Sequence, residues 1–121
     1  MIEKADLDEI VGREIIGVAI NPYSVSMSFG DNNSTGWILI QCDFSLKILG
    51  EEHFGSAADQ ESAAFLKKCL GEKVIGADFG GDSTLSLYFD KGGYLRMIPM
   101  KDGLESYVLH TRNGIVPISD C

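Results

Sequence analysis

Residues 71–98, GEKVIGADFGGDSTLSLYFDKGGYLRMI, read as three short strands joined by two glycine-rich turns. The strands run from Lys73 to Phe79, Thr84 to Phe89 and Tyr94 to Met100, with turns at Gly80-Gly81-Asp82 and Asp90-Lys91-Gly92-Gly93. Alternation in the middle strand puts Leu85, Leu87 and Phe89 on one face, the period of a half-buried strand. An earlier stretch repeats the pattern. Gly12-Arg-Glu-Ile-Ile-Gly17 answers Gly71-Glu-Lys-Val-Ile-Gly76, Val25-Ser-Met-Ser-Phe29 answers Leu85-Ser-Leu-Tyr-Phe89, and Trp37 to Ile40 matches Tyr94 to Ile98. Two antiparallel β-meanders, over residues 12–42 and 71–100, with a helix between them make one domain spanning residues 1–121.

Working outward, Ile2 to Val11 form an amphipathic helix with Leu7, Ile10 and Val11 on one face, and Gly12 ends it. Arg13 to Ile20 is β-branched and apolar, a largely buried strand, broken by Asn21-Pro22-Tyr23. From Ser24 to Phe29 the serines alternate with Val25, Met27 and Phe29, giving one polar and one buried face. Gly30 to Gly36 is a turn, Trp37 to Cys42 is a strand, and Phe44 to Leu49 extends the meander as a fourth. Ser56-Ala-Ala-Asp59 starts a helix that runs to Leu70 and buries Phe65, Leu66, Cys69 and Leu70 on one stripe. Glu105 to His110 is a further strand, and Asn113-Gly114 marks a hairpin that returns Ile115 to Ile118 onto it. The fold class is α+β, with an N-terminal helix, one central helix and antiparallel strands. Its two meanders form either one curved sheet or two packed sheets.

A chain of 121 residues fits one domain and buries roughly two thirds of its unfolded surface. Apolar content of 45% and a mean hydropathy of +0.06 belong to a globular chain, not a disordered one. The acidic start MIEKADLDEIVG lacks the basic and apolar regions of a secretory signal, and no apolar run reaches the ~20 residues of a membrane span. Three widely spaced cysteines, Cys42, Cys69 and Cys121, fit reduced thiols in a cytoplasmic protein better than a disulfide framework or a zinc site. Net charge is −8, which would repel the phosphates of a nucleic acid. Residues 1–60 carry ten acids against three bases, whereas residues 61–121 carry eight against seven. The acidity keeps a small domain soluble, or it forms a surface for a cationic protein.

Catalytic constellations are sparse. The two histidines, His53 and His110, have no serine or cysteine partner in a nucleophile motif. Asp31-Asn-Asn-Ser-Thr-Gly36 resembles the opening of a calcium loop, but its twelfth position is Cys42, not a bidentate glutamate. Gly76 to Gly81 lies between antiparallel strands, where no helix N-terminus would receive a phosphate. Asp78 and Asp82 flank that turn as paired carboxylates. Trp37 and Tyr94 take equivalent places in the two meanders as core or sheet-face residues.

The segments GREIIGVAI, VSMSFGD, GEKVIGADF, LSLYFDKGGYL and LESYVL together resemble small bacterial immunity proteins of contact-dependent growth-inhibition and related polymorphic-toxin systems. The resemblance implies a cytoplasmic protein that binds and neutralises the C-terminal domain of a cognate toxin, often a basic nuclease. An acidic inhibitor suits that role because complementary charge steers encounter. The expected partner contacts are the acids Glu3, Asp6, Asp8 and Glu9 of the N-terminal helix, Asp31, Glu51 and Glu52 in turns, and Asp43. No catalytic residue, metal, cofactor, nucleic acid or membrane enters this reading, and the oligomeric state stays open. The rival readings are an enzyme or small-ligand binder using Asp78, Asp82 and His110, and an assembly subunit presenting an open strand edge.

Overall fold

Leu85, Leu87 and Phe89 are buried, and so are Val25, Met27 and Phe29, as period-two alternation requires. The structure is a computed structural model that describes residues 4–30, 36–80, 82–99, 107–111 and 114–118, with backbone alone for 4–6, 107–111 and 114–118. It is an α+β fold. Helix α1 (Lys4–Ile10) precedes β1 (Glu14–Ile20), β2 (Val25–Gly30) and β3 (Gly36–Ile40). The hairpin β4 (Asp43–Ile48) and β5 (Glu51–Ser56) follows, then α2 (Gln60–Ala63) continued by a 3-10 segment (Ala64–Cys69). The second half is β6 (Val74–Phe79), β7 (Leu85–Phe89), β8 (Tyr94–Ile98), β9 (Tyr107–Thr111) and β10 (Gly114–Ile118). No helix among the described residues is long and apolar enough to cross a membrane.

The strands form two antiparallel sheets, ordered β1-β2-β3-β9-β10 and β5-β4-β8-β7-β6. Each meander stays intact, but the hairpin after it crosses over. β4 pairs with β8, Leu46 opposite Leu95, and β9 pairs with β3, Leu109 opposite Ile38. Phe44 to Leu49 therefore does not extend the first meander; it completes the second sheet. The inner faces of both sheets share one core that includes Met27, Phe29, Ile38, Phe44, Leu46, Leu87, Leu95 and Met97. The choice left open between a curved sheet and two sheets resolves to two sheets on one core.

The sheets meet at a short ribbon. Gly12 N–H donates to the Val74 carbonyl (2.7 Å) and Gly71 N–H to the Ile15 carbonyl (2.8 Å). Val74 N–H donates to Arg13 (2.9 Å) and Ile15 N–H to Glu72 (2.9 Å), with Glu14 opposite Lys73. Each bond maps onto another when the two Gly-x-x-Ile/Val-x-Gly segments are exchanged, so the ribbon has a local two-fold. Gly12 and Gly71 both take the positive φ (+90° and +87°) that ends the preceding helix. Both first strands also carry a bulge at the matching place, between Ile15 and Gly17 and between Val74 and Gly76.

Four local readings change. β1 is an edge strand in which Ile15 alone is fully buried, so its β-branched run marks strand propensity and not burial on both faces. The first helix stops at Ile10, and Val11 is exposed beyond it. The central helix begins at Asp59, whose carboxylate accepts from the Glu61 N–H (3.3 Å), not at Ser56. Its second part is a 3-10 segment. Ala63, Leu66 and Cys69, three residues apart, align on the core as a three-residue turn dictates, and Leu70 is 57% exposed.

Candidate functional site

The turn Leu49-Gly50, with both residues at positive φ, closes the β4–β5 hairpin tightly. Glu51 and Glu52 are consequently the first two residues of an edge strand, not turn residues. Alternation along β5 sends Glu52 and Phe54 to the outer face of the sheet and His53 to the inner. His53 stacks on Phe65 of the 3-10 segment (ring centroids 4.4 Å apart), and its Nε2 lies 3.6 Å from the Glu51 carboxylate. The far end of β5 is covered. Ser62 Oγ accepts from Ser56 N–H (3.0 Å) and donates to the Ser56 carbonyl (3.1 Å). Gly55 permits this approach, since a Cβ there would lie 2.4 Å from Ser62 Cβ.

On the outer face, register places Asp43 opposite Ile98 and Ser45 opposite both Phe54 and Arg96. An open groove of about 440 Å³ results, lined by Asp43, Phe44, Phe54, Gly55 and Ile98. Phe54 is 67% exposed and Ile98 42%, so two large apolar side chains stand in solvent beside an exposed carboxylate. Along the same face Tyr94 Oη donates to Glu52 (3.3 Å), and the Arg96 guanidinium lies 4.2 Å from the centre of the Tyr94 ring. These contacts hold Glu52 and Tyr94 in place beside the groove. Beneath it, Cys42 is buried, and burial followed by the Asp43 charge pushes its thiol up to about 12. Cys69 is pushed up to about 12 by burial and then by Glu72. Neither thiol is a nucleophile at neutral pH.

The arrangement is suited to binding. A cationic side chain could lay its methylene stem on Phe54 and Ile98 and set its charged head against Asp43, with Glu52 at the rim. Among the described residues no three His, Cys, Asp or Glu side chains converge where a metal ion could sit.

Of the acids expected at a partner surface, the structure brings Asp43 and Glu52 to one face and leaves Glu51 exposed on the same edge strand. Asp8 is exposed on α1 and Glu9 is half-buried there. That helix lies against β6 and β9, away from the β5 edge, so the N-terminal acids form a separate group. Only the backbone of Asp6 is described, and Glu3 and Asp31 lie outside the described residues. Asp78 is exposed on β6, at the other edge of the sheet from β5. Asp82 Oδ1 accepts from Thr84 N–H (3.1 Å) within the turn. His110 is in β9 of the other sheet, opposite Trp37. Sequence reasoning missed Phe54 and Ile98. The signal for Phe54 was its spacing of two from Glu52 in Glu-Glu-His-Phe, an outward-facing pair once that segment is a strand. No protein-family model, curated protein or solved structure matches this chain.

Proposed function

We propose that this chain is an immunity protein that binds and neutralises a basic, nuclease-type toxin domain in the cytoplasm, and that the outer face of β5, β4 and β8 is its docking surface. The observation that carries the reading is the groove itself, where exposed Phe54 and Ile98 flank the Asp43 carboxylate. Buried aromatic anchors ringed by polar groups dominate the energetics of protein interfaces. The net charge of −8, concentrated in the first sixty residues, would steer a cationic partner and raise its association rate. The resemblance of the strand segments to toxin-immunity proteins supplies the class of partner.

The test is a binding titration against the C-terminal domain of the secreted toxin that the resemblance implies is encoded beside this chain. Phe54→Ala is expected to weaken binding by roughly 2 kcal/mol or more, as truncation of an interface anchor does. Asp43→Lys and Glu52→Lys are expected to slow association, and rising salt to slow it further. Asp78→Lys, at the opposite edge of the sheet, should change binding little. A binding constant indifferent to Phe54→Ala and Asp43→Lys would remove this face from the interaction.

A further inference from the structure

The ribbon that joins the sheets has a buried side and an open side. Ile15 and Val74 are fully buried and Glu72 nearly so, whereas Glu14, Lys73, Ile16 (40%) and Ile75 (56%) are exposed. The bond from Gly71 N–H to the Ile15 carbonyl sets Gly71 beside the Ile15–Ile16 peptide. The bond from Gly12 N–H to Val74 sets Gly12 beside the Val74–Ile75 peptide. Each exposed isoleucine therefore has a glycine as its neighbour across the ribbon, and a Cβ built on either glycine meets nothing within 4 Å. Between the two Ile/Gly pairs Glu14 stands opposite Lys73. Among the described residues neither has an ion-pair partner. Val11 and Leu70, each one residue before its glycine, are also exposed and widen the apolar margin.

This side of the ribbon carries two knobs, two gaps and one charge of each sign about a local two-fold, and such a surface is complementary to itself. A second copy laid face to face, with the dyad along the strands, sets every Ile16 over a Gly71 and every Ile75 over a Gly12. It also sets each Glu14 over a Lys73. A dyad across the strands also seats isoleucine on glycine but stacks Glu14 on Glu14 and Lys73 on Lys73. Charge selects the first arrangement. We propose that the chain forms an isologous homodimer through this ribbon, its dyad running along the strands. The β5 face is at the opposite edge of its sheet, so the dimer leaves the groove free and does not depend on the toxin-binding reading.

Sedimentation equilibrium at about 0.15 M salt, where repulsion between the acidic copies is screened, tests the proposal. The unaltered chain should dimerise at or below about 100 µM. The double variant Ile16→Asp with Ile75→Asp should sediment as a monomer with an unchanged circular-dichroism spectrum. Glu14→Lys and Lys73→Glu, which leave the core untouched, should each raise the dissociation constant roughly tenfold, because every dimer contains two such pairs. Combining the two reversals should restore it. A monomeric unaltered chain, a dimer that survives the aspartates, or reversals that do not rescue each other would each overturn the proposal.

Discussion

Replacing Gly93 with alanine is expected to destabilise the chain by about 2–4 kcal/mol, and the size follows from one distance. A Cβ at Gly93 would lie 2.3 Å from the Lys47 carbonyl oxygen and 3.4 Å from its carbon. Lys47 belongs to β4 and pairs with Tyr94 of β8, so the obstacle is ladder backbone that no rotamer change can move. Restoring an ordinary contact requires a displacement of about 1 Å, which stretches neighbouring N–H···O bonds beyond hydrogen-bonding range. One or two buried backbone groups then lose their partners, at ~1–3 kcal/mol each. Gly92 is the control. It has φ +90° and open space around its Cα, so alanine there carries only a backbone cost of about 1 kcal/mol. Urea unfolding with an unchanged m-value reads both differences. The sign is decisive, because an unobstructed glycine outside the left-handed region usually gains stability from alanine through the unfolded chain. If Gly93→Ala were neutral or stabilising, β4 would not lie against β8, and the crossing of the hairpins would be wrong.

Two further expectations concern the core. Phe89 is 1% exposed, and Phe89→Ala should cost about 3–5 kcal/mol in the same unfolding assay; a cost under about 1 kcal/mol would mean the register of β7 is wrong. Cys42 and Cys69 are raised from 9.0 to about 12 in the fold, so the stability they contribute is fully present below pH 9 and is lost as pH rises toward 12. Unfolding free energy should fall over that window, less so after Cys42→Val and Cys69→Ala; an equal fall in that variant would assign the loss to other groups.

The meanders were legible because their signal is local. Val25, Met27 and Phe29, like Leu85, Leu87 and Phe89, alternate with polar or solvent-tolerant residues, and glycine-rich turns bound them. The hairpin exchange was not legible. Nothing in Phe44 to Leu49 distinguishes β8 from β3 as its partner, since Leu95 and Ile38 are both apolar and occupy equivalent places. The 3-10 segment was hidden by an ambiguity of spacing. Leu66 has an apolar residue both three and four positions ahead, and only the surrounding core selects Cys69 over Leu70. Asp43, Glu51 and Glu52 stood out as charges, but the groove did not. Its apolar walls, Phe54 and Ile98, come from β5 and β8, which the crossing alone brings within reach of each other.

The exchanged hairpins also set an order on synthesis. The first meander leaves the ribosome early, yet the open edge of β3, with Trp37, Ile38, Leu39 and Ile40, is paired only by β9. Tyr107 follows Ile40 by 67 residues, which at 5–20 residues per second is a wait of roughly 3–13 s. β4 and β5 wait in the same way for β8. The nascent protein therefore carries two unpaired strand edges, that of β4 until β8 has emerged and that of β3 until β9 has followed. Closure of each sheet thereby waits on strands far along the chain, and the growing protein is open to wrong pairing throughout that interval.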